Sequence, residues 1–469
     1  MTPDANDLCV FAVKRGIIEG RIDPHFYLPT FQVIINKIKK NAYVHLGDIA
    51  HFSKETTDYT EFASGVFDYL EISGVSLGIN KFKTTKIKVS EAPSRAKMKT
   101  QIGDIVIALT RPHRGAITTI KESGIIASTG FSVIRDVDPK IDREWLIYVL
   151  LSDLSLQQML QRSSGGNYPA IIEDEVKRIY IPVVEYSKQL QMVASIKAKA
   201  DSFDQKLRMA NSLLINTPYI LERVELSFDS NQTGLVFATL RSTIVDRIDA
   251  DYYSPKFFAF RKQIEQSMYP AVSIGDISDK IVAGFAAGKQ DQADDLPEDQ
   301  RVPHLRPFSI TPEGELSFET KKYVPKSRLK SDDYCKKNEI IFNNTNSPDL
   351  VGKTTVFDSD VLCATSNHMT RITVKEGVNP YYVAAFFNVL LSIGYWKLLC
   401  TNFNNQAGVN TDTLKKVKIP LPPKEVQDQI ASELMQRRSQ ANELRKQAIK
   451  EWTEAKAQFE RELLGEQRT

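Results

Sequence analysis

The chain repeats itself after 226 residues, and this repeat restricts the possible folds more than any other feature of the sequence. The segment from Val10 to Phe31 aligns without a gap on the segment from Val236 to Phe257, and 11 of the 22 positions are identical. Because this period is far longer than that of a solenoid repeat, it indicates a duplicated domain. We therefore expect two related lobes about a pseudo-twofold axis.

The correspondence continues along both copies with small shifts. The matched segments are Gly47-Asp48-Ile49 with Gly275-Asp276-Ile277, Gly103 to Val106 with Asn338 to Ile341, Ile181-Pro182 with Ile419-Pro420, and Gln189 and Gln191 with Gln427 and Gln429. The offset grows from 226 to 238 residues along the way. The second copy therefore carries about a dozen additional residues, which we expect in its loops.

A segment without proline follows each copy, and its apolar residues recur at the alternating steps of three and four that make a helical seam. The seam residues are Val193, Ile196, Phe203, Leu207 and Leu214 in the first segment and Ile430, Leu434 and Leu444 in the second. The pattern predicts two helices of roughly 40 residues, about 60 Å long, that pack on each other. Pro218 is expected to kink or interrupt the first helix, and each lobe is expected to have a core separate from the seam.

Each copy mixes helical and strand-forming segments, which predicts an α+β fold with two mixed α/β lobes joined by the two long helices. Helices are predicted over 29–40, 143–160, 255–266 and 380–399, and strands within 104–109, 125–134, 339–342 and 369–374. The predicted boundaries are 1–184 for the first lobe, 185–227 for the central helix, 228–423 for the second lobe and 424–469 for the C-terminal helix.

Composition and charge argue against several classes of protein. The 61 Lys and Arg residues only slightly exceed the 58 Asp and Glu residues, so contact with nucleic acid would need local basic patches. No apolar run approaches 18 residues, which argues against a membrane span, and Met1 to Cys9 lacks the basic residues of a secretory signal. The four cysteines show no CxxC spacing, so we expect a reducing cytoplasm and no zinc site.

The sequence contains only incomplete versions of catalytic motifs. Gly284 to Lys289 is one residue short of a phosphate loop, and Gln290 stands where Ser or Thr would bind magnesium. The segment Asn379 to Tyr382 lacks the second proline of an amino-methyltransferase motif, and a helix capped by Asn379 explains it better. These comparisons favour a binding or scaffold protein over an enzyme.

Basic residues cluster in both copies in a pattern suited to DNA phosphates. Lys81, Lys83, Lys86 and Lys88 alternate along a predicted strand edge, and the segment from Lys321 to Lys337 has a similar excess of positive charge. An ordinary solvated edge would carry the same residues. The recurrence of the pattern in both copies favours phosphate binding.

Loops rich in arginine and amide side chains follow corresponding strands, and these side chains can bind guanine and adenine edges. The candidates are Arg111, His113, Arg114, Arg162, Asn167 and Tyr168 in the first copy, and Asn343, Asn344, Asn346, Asn402, Asn404, Asn405 and Gln406 in the second. Taken singly, each residue fits ordinary turn chemistry equally well. The predicted strands of the two copies match, whereas the loops that follow them differ in sequence. We therefore expect the two copies to read different bases.

These features together resemble the specificity subunit of type I restriction-modification systems. Two variable lobes each end in Ile-Pro, followed by a Gln-x-Gln pair and a long helix, and the segment from Val417 to Ile430 is very similar to that family's second conserved helix start. Gly103 to Ala108 resembles its mid-lobe strand. The first lobe departs from the usual ending at Val183-Val184, so the start of its helix is expected to differ in geometry.

The resemblance implies a non-catalytic subunit whose two target recognition domains each read one half of a split site in double-stranded DNA. It implies that the long helices form an antiparallel coiled coil that sets the distance between the half-sites. It also implies two methyltransferase subunits, which use S-adenosylmethionine to methylate adenine at N6, and restriction subunits, which are translocase-nucleases and use ATP and Mg²⁺. On this reading the chain itself binds no cofactor, no metal and no membrane.

Three other functions are also compatible with the residues. The chain could serve a related system in which restriction is fused to the methyltransferase, which the neighbouring genes would reveal. A stand-alone DNA methyltransferase would bind S-adenosylmethionine, and a coiled-coil scaffold that binds only protein would select no DNA sequence. We predict that the pure chain neither methylates nor cleaves DNA and that the recognised site is asymmetric.

Overall fold

The structure is a computed structural model. It describes residues 11–13, 18, 20–62, 64–231, 237–239, 241, 244, 249–311, 313–318, 322–403 and 406–466. Parts of the sequence patterns lie outside the described residues, namely Cys9, Val10, Arg15, Val236, Arg247, Ile248, Lys321, Asn404 and Asn405. The chain forms two compact units, of which unit 1 comprises Met1–Leu207 and Lys446–Thr469 and unit 2 comprises Arg208–Arg445.

The helices follow one another as the repeat predicts. The first set is α1 (Pro29–Ile38), α2 (Leu46–Ile49), α3 (Arg143–Leu150), α4 (Asp153–Arg162), α5 (Glu173–Val176), the long α6 (Tyr186–Leu213) and the short α7 (Thr217–Arg223). The second set is α8 (Pro255–Gln266), α9 (Pro380–Ser392), α10 (Tyr395–Leu399), α11 (Thr411–Lys416) and the long α12 (Lys424–Leu463).

The strands are short and are distributed over both units. Unit 1 contains β1 (Tyr43–His45), β2 (Ala50–Ser53), β3 (Val66–Leu70), β4 (Thr85–Lys88), β5 (Ala96–Lys99), β6 (Ile105–Ala108), β7 (Ile117–Thr119), β8 (Ile125–Ser128), β9 (Phe131–Val137) and β10 (Tyr180–Pro182). Unit 2 contains β11 (Ala271–Ser273), β12 (Ser278–Ala283), β13 (Arg301–Leu305), β14 (Tyr323–Pro325), β15 (Ile340–Asn343), β16 (Thr345–Asn346), β17 (Thr354–Val356), β18 (Ala364–Thr365), β19 (Met369–Val374), β20 (Thr401–Phe403), β21 (Gln406–Gly408) and β22 (Lys418–Pro420).

Two sheets of unit 1 correspond to two sheets of unit 2, although the described part of unit 2 has no strand that matches β5 and contains an additional sheet, β16-β21-β20. The order β2-β9-β6-β7 in unit 1 corresponds to β12-β19-β15-β17 in unit 2, and β4-β3-β8 corresponds to β14-β13-β18. Within the second pair of sheets, β3 runs parallel to β8, as β13 does to β18. The pairs β1-β10 and β11-β22 bring each Ile-Pro element back to the start of its lobe. The predicted duplication and the α+β class are confirmed.

A buried ion pair recurs at the same place in both units. Asp104, just before β6, lies 3.0 Å from Arg135 on β9, and Glu339, just before β15, lies 3.3 Å from Arg371 on β19. Removing the arginine of either pair would leave a buried carboxylate, Asp104 or Glu339, without its countercharge, which is strongly destabilising. This explains why an acidic residue stands at corresponding positions of the repeat.

The first glutamine of each Gln-x-Gln pair ties a long helix to its lobe. Gln189 Oε1 accepts a hydrogen bond from the backbone N–H of Asp142 at 2.7 Å, and Gln427 Oε1 accepts one from that of Asn379 at 2.8 Å. Asp142 and Asn379 cap α3 and α9, and the side chain of Asn379 accepts from Tyr382 N. The predicted capping role of Asn379 is confirmed.

Two of the predicted helices and one predicted strand are divided in the structure. The helix predicted over 143–160 ends before Ser152, whose extended backbone (ψ 154°) starts α4. The helix predicted over 380–399 breaks at Gly394, whose φ of +78° is a left-handed conformation that glycine adopts readily. The strand segment 125–134 forms the separate strands β8 and β9.

Only the second of the two long helices has the predicted length of roughly 40 residues, whereas the first is shorter. α12 has 40 residues, and the first helix is interrupted just before Pro218, leaving α6 with 28. In unit 1, Ile196 and Phe459 border one small cleft, and the rings of Phe203 and Trp452 lie 5.9 Å apart. The numbering rises along α6 as it falls along α12, so the two helices are antiparallel there.

The helical seam belongs to the cores of the lobes, which corrects the expectation of separate cores. Val193 and Ile196 are buried in one cluster with Trp145 and Phe459, and Ile430 is buried in the core of unit 2. The physical reason is that the apolar face of each long helix also covers a lobe. The remaining seam residues, Phe203, Leu207, Leu214, Leu434 and Leu444, are half-buried.

Candidate nucleic-acid interface

The two candidate loops of unit 1 lie side by side at the end of β6. Arg111 donates from its guanidinium to the backbone oxygen of Asn167 at 3.2 Å and lies over the ring of Tyr168, 4.1 Å from its centroid. Thr110 and Ala170 form a β-bridge that joins the two loops. The Tyr168 ring is 69% exposed. The structure therefore brings Arg111, Asn167 and Tyr168 into one exposed group, which can offer donors and an aromatic face to DNA.

His113 and Arg114 follow on the same loop. Burial lowers the pKa of His113, and the positive charges of Arg114 and Arg111 lower that pKa further. The imidazole is therefore neutral near pH 7 and can act as both donor and acceptor. Arg114 is exposed.

Arg162 does not belong to this group, although the sequence placed it among the DNA-binding candidates. Its side chain is only 3% exposed and pairs with Glu175 at 2.8 Å, and it also lies over the ring of Phe26. It ends α4, whose other residues are largely buried, so its position on the helix directs it inward. We leave it out of the proposed interface.

The basic segment of unit 1 forms an edge strand, as its alternation predicted, because β4 is the outer strand of its sheet. Lys86 pairs with Asp68 at 3.1 Å and Lys88 with Glu91 at 3.5 Å, while both ammonium groups remain largely exposed. Lys81 precedes the strand and pairs with Asp204 on α6. Lys83 is exposed. Acidic partners, of which Asp68 and Asp204 are distant in the sequence, therefore reduce the net charge of this edge.

Unit 2 contains an acidic loop, made of Asp291, Asp294, Asp295, Glu298 and Asp299, and two of these residues pair with basic side chains. Asp291 pairs with Arg328 and Asp294 with Lys322, both at 2.7 Å. The basic segment of unit 2 is therefore partly neutralised within the protein. The paired residues are 28 and 37 positions apart in the chain, so the sequence alone does not show this pairing.

Two of the asparagine candidates of unit 2 face the protein. Asn343 is fully buried at the end of β15, where its side chain donates to the backbone oxygen of Leu350 at 3.1 Å. The amide of Asn344 donates to Thr370 Oγ1 at 2.9 Å, and its oxygen accepts from Thr345 at 2.7 Å. The strand runs one residue further than the sequence suggested, so both amides hold the turn together.

The candidates Asn346, Asn402 and Gln406 lie on a small sheet formed by β16, β21 and β20. Asn346 is half-buried, with its side-chain oxygen accepting from the backbone of Ser347 at 2.8 Å, and Gln406 is exposed. Asn402 pairs with Ala407 through the backbone of β20 and β21. As in unit 1, the two predicted loops lie next to each other.

Asn346 and Gln406 border a cavity of about 540 Å³ that sequence reasoning did not identify. Its other polar lining comes mainly from His304, Arg306, Asn367 and His368. Arg306 follows β13 directly, and Asn367 and His368 lie between β18 and β19. Isolated residues after short strands gave no spacing signal, so only the fold brings them together.

Within the described ranges, no group of three or more His, Cys, Asp or Glu side chains is arranged to hold a metal ion. Among the same residues, no helix is long and apolar enough to cross a membrane.

Family comparison decides what kind of protein carries these loops. The model of the type I restriction modification DNA specificity domain matches the chain twice, over residues 38–206 and 268–453, which together make up most of its length. The chain belongs to this family. Specificity subunits of this family are in general non-catalytic, and they recognise DNA within larger complexes.

Individual relatives of the specificity subunit are distant. A Methanocaldococcus jannaschii protein described as the type I restriction enzyme MjaX specificity subunit is 30% identical over 95 residues, which span 20% of this chain and only 22% of that relative. A chain from a structural study of the assembly and conformational transition of a type I system is 21% identical over 91% of this chain and 98% of its own length, with a TM-score of 0.47. The HsdS subunit of Thermoanaerobacter tengcongensis is 20% identical over 91% of this chain and 97% of its own, with a TM-score of 0.36. Because both scores lie below 0.5, family membership rests on the two domain matches.

Proposed function

We propose that this chain is the DNA-reading subunit of a type I restriction-modification complex and that it recognises a split, asymmetric site. The proposal rests on one observation. The two units share the same arrangement of strands, but the loops that follow these strands differ in sequence. β6 and β15 occupy the same place in matching sheets, yet Arg111 and Tyr168 stand beyond the first and Asn346 and Gln406 beyond the second. Different hydrogen-bonding groups on the same frame favour different bases.

The proposed interface in unit 1 combines the group of Arg111, Asn167 and Tyr168 with Arg114 and the exposed lysines of the β4 edge. Phosphate contacts from the lysines would hold the register, and the loop would reach base edges. In unit 2, Asn346, Gln406 and the cavity beside them would read the second half-site, next to the loop that carries Asn402.

We further propose that the long helices bind two methyltransferase subunits, which would supply S-adenosylmethionine and methylate adenine at N6. Large apolar side chains are exposed on or beside these helices, and binding of a subunit there would remove them from water; they are Leu190, Met209, Ile215, Met435 and Ile449. Restriction subunits with ATP and Mg²⁺ would complete the complex. Such a complex would meet its DNA in the cytoplasm.

Selection of bound DNA from random duplexes by the full-length chain, followed by sequencing, tests this proposal. We expect two short, different sequences separated by a fixed spacer without base preference. Exchange of residues 16–184 for the first lobe of another family member should change one of the two sequences only. Selection of no sequence at all, as a scaffold that binds only protein would show, would refute the proposal.

Two further assays test the proposed division of labour. The pure chain should bind no S-adenosylmethionine in calorimetry and transfer no methyl group to DNA. Binding of S-adenosylmethionine by the isolated chain would instead favour a stand-alone methyltransferase.

A further inference from the structure

The cavity of unit 2 has a lining suited to a ligand that both donates and accepts hydrogen bonds. Its volume of about 540 Å³ lies in the ordinary range of ligand sites. Its lining combines a guanidinium from Arg306, imidazoles from His304 and His368, and amides from Asn346 and Gln406. The guanidinium donates hydrogen bonds in a fixed fork geometry, and the imidazoles and amides beside it can either donate or accept them.

Three polar atoms of the residues that line this cavity are buried without a hydrogen-bond partner among the residues that the structure describes. They are Nδ1 of His304, Nε of Arg306 and Oγ of Ser366. Buried polar atoms in native proteins almost always have a hydrogen-bond partner. Unpaired atoms that cluster at one cavity therefore favour the binding of a polar ligand there. Arg306 pairs with no acidic side chain in the described ranges, unlike Arg328 on the same unit, which is bound to Asp291.

The lining favours a nucleobase over a phosphate ion. A phosphate site offers donors almost exclusively, whereas this cavity mixes donors with amide and imidazole acceptors. It also contains an apolar wall, which includes Phe308 with 54% of its surface exposed. A base edge in the major groove combines donors, acceptors and, in thymine, a methyl group.

Hydrogen bonds from a buried lysine and from a backbone N–H fix the conformation of the turn that contains Arg306 and Phe308. The buried ammonium of Lys353 donates to the backbone oxygens of Pro307 and Ile310, at 2.9 and 2.6 Å. Arg306 N also donates to Ser309 Oγ at 3.1 Å, which closes the turn. A side chain on a fixed turn loses less conformational freedom on binding, so the site is pre-organised.

Unit 1 carries the opposite charge at the corresponding place. Leu70 of β3 pairs with Ala127 as Leu305 of β13 pairs with Thr365, so Glu71 occupies the position of Arg306. Glu71 can only accept hydrogen bonds when ionised, and Arg306 can only donate them. The two positions therefore cannot favour the same base.

We propose that this cavity is a base-reading pocket of the second half-site, in which Arg306 donates two hydrogen bonds to O6 and N7 of a guanine. The amides of Asn346 and Gln406 would read a neighbouring base pair, and Phe308 would provide the apolar contact. This inference rests on the proposed function, which it extends to a named residue and base. Direct contact between Arg306 and guanine requires that the second half-site contain at least one G·C pair.

The test compares the sequences that full-length variants select from random duplexes. The variants are Arg306→Ala, Arg306→Lys and, as a control, Lys262→Ala, which removes the same charge from an exposed position on α8. Arg306→Ala should remove the preference for guanine at one position of one half-site and weaken binding to the wild-type site by about 5- to 150-fold, the equivalent of one two-bond contact. Arg306→Lys should relax the same position, because lysine keeps the charge and lacks the fork. Lys262→Ala should leave the selected sequence unchanged.

The outcomes separate this inference from the proposed function. If the wild type selects a split site and Arg306→Ala, folded by its thermal unfolding curve, selects the same site with the same preferences, the pocket is wrong and the proposed function stands. If Arg306→Ala weakens binding to all sequences equally, Arg306 contacts phosphate and base reading is refuted. If the wild type selects no sequence, the proposed function fails and this inference fails with it.

Discussion

Replacing Gln427 with alanine tests whether the first glutamine of each pair holds a long helix to its lobe. The side chain is buried, its oxygen accepts from the backbone N–H of Asn379 at 2.8 Å, and its amide donates to the backbone oxygen of Pro422 at 2.8 Å. Alanine would leave both backbone groups unpaired. Each buried unpaired group costs about 1–3 kcal/mol, so the free energy of unfolding should fall by about 2–6 kcal/mol.

The repeat provides a second case and a matched control. Gln189 is equally buried and makes three such bonds, to Asp142 N, Lys140 O and Val184 O, so Gln189→Ala should cost at least as much. Gln429, two positions after Gln427 on the same helix, is exposed and makes a surface hydrogen bond with Arg223. Gln429→Ala should therefore change stability by less than about 0.5 kcal/mol.

Hydrogen exchange measured by mass spectrometry, together with urea unfolding of the full chain, provides the readout. Gln427→Ala should lower protection in α9, whose first turn Asn379 caps, and leave α3 unchanged. Gln189→Ala should do the reverse. Equal stability of the Gln427→Ala and Gln429→Ala variants, or loss of protection spread evenly over both units, would refute the reasoning.

Three further predictions follow from the same structure. Arg111→Ala should relax base preference in the half-site that Arg306 does not affect, and an unchanged selected sequence would exclude Arg111 from the interface. Adding one heptad to α6 and one to α12 lengthens each helix by about 10 Å, so the spacer between half-sites should grow by about three base pairs; a changed half-site with an unchanged spacer would refute the role of the helices. Burial lowers the pKa of Lys353 below its ordinary value of 10.5, so the unfolded state holds this proton more tightly and the wild type should gain stability relative to Lys353→Met as pH rises towards 10.5; melting temperatures that change in parallel would contradict this.

The architecture could be predicted from the sequence because each weak sequence pattern occurs in both copies of the duplicated domain. The assignment in one copy therefore supports the assignment in the other. The Ile-Pro elements and the first glutamines recur in the structure as the same β-pair and the same cap. The prediction of separate cores was wrong because periodicity shows which face of a helix is apolar and not what covers it. Val193 and Ile196 were therefore predicted as seam residues, although they also pack in the core of a lobe.

The candidate site could be predicted only in part. The sequence located the two loops of each lobe, and the structure brings them together through the bridge at Thr110 and the pairing of β16 with β21. It could not show that Asn343 points inward, because the end of a strand cannot be fixed to one residue from composition. It missed Arg306 because the cavity is assembled from segments up to about 120 residues apart.

Methylome sequencing of a host that expresses this chain with its partner methyltransferase tests the central claim most directly. We expect N6-methylated adenines in one site, made of two different short sequences separated by a spacer of fixed length. Methylation at this site should disappear when the chain is deleted and the methyltransferase is kept. A palindromic methylated site, or a methylation pattern that does not depend on this chain, would contradict the account.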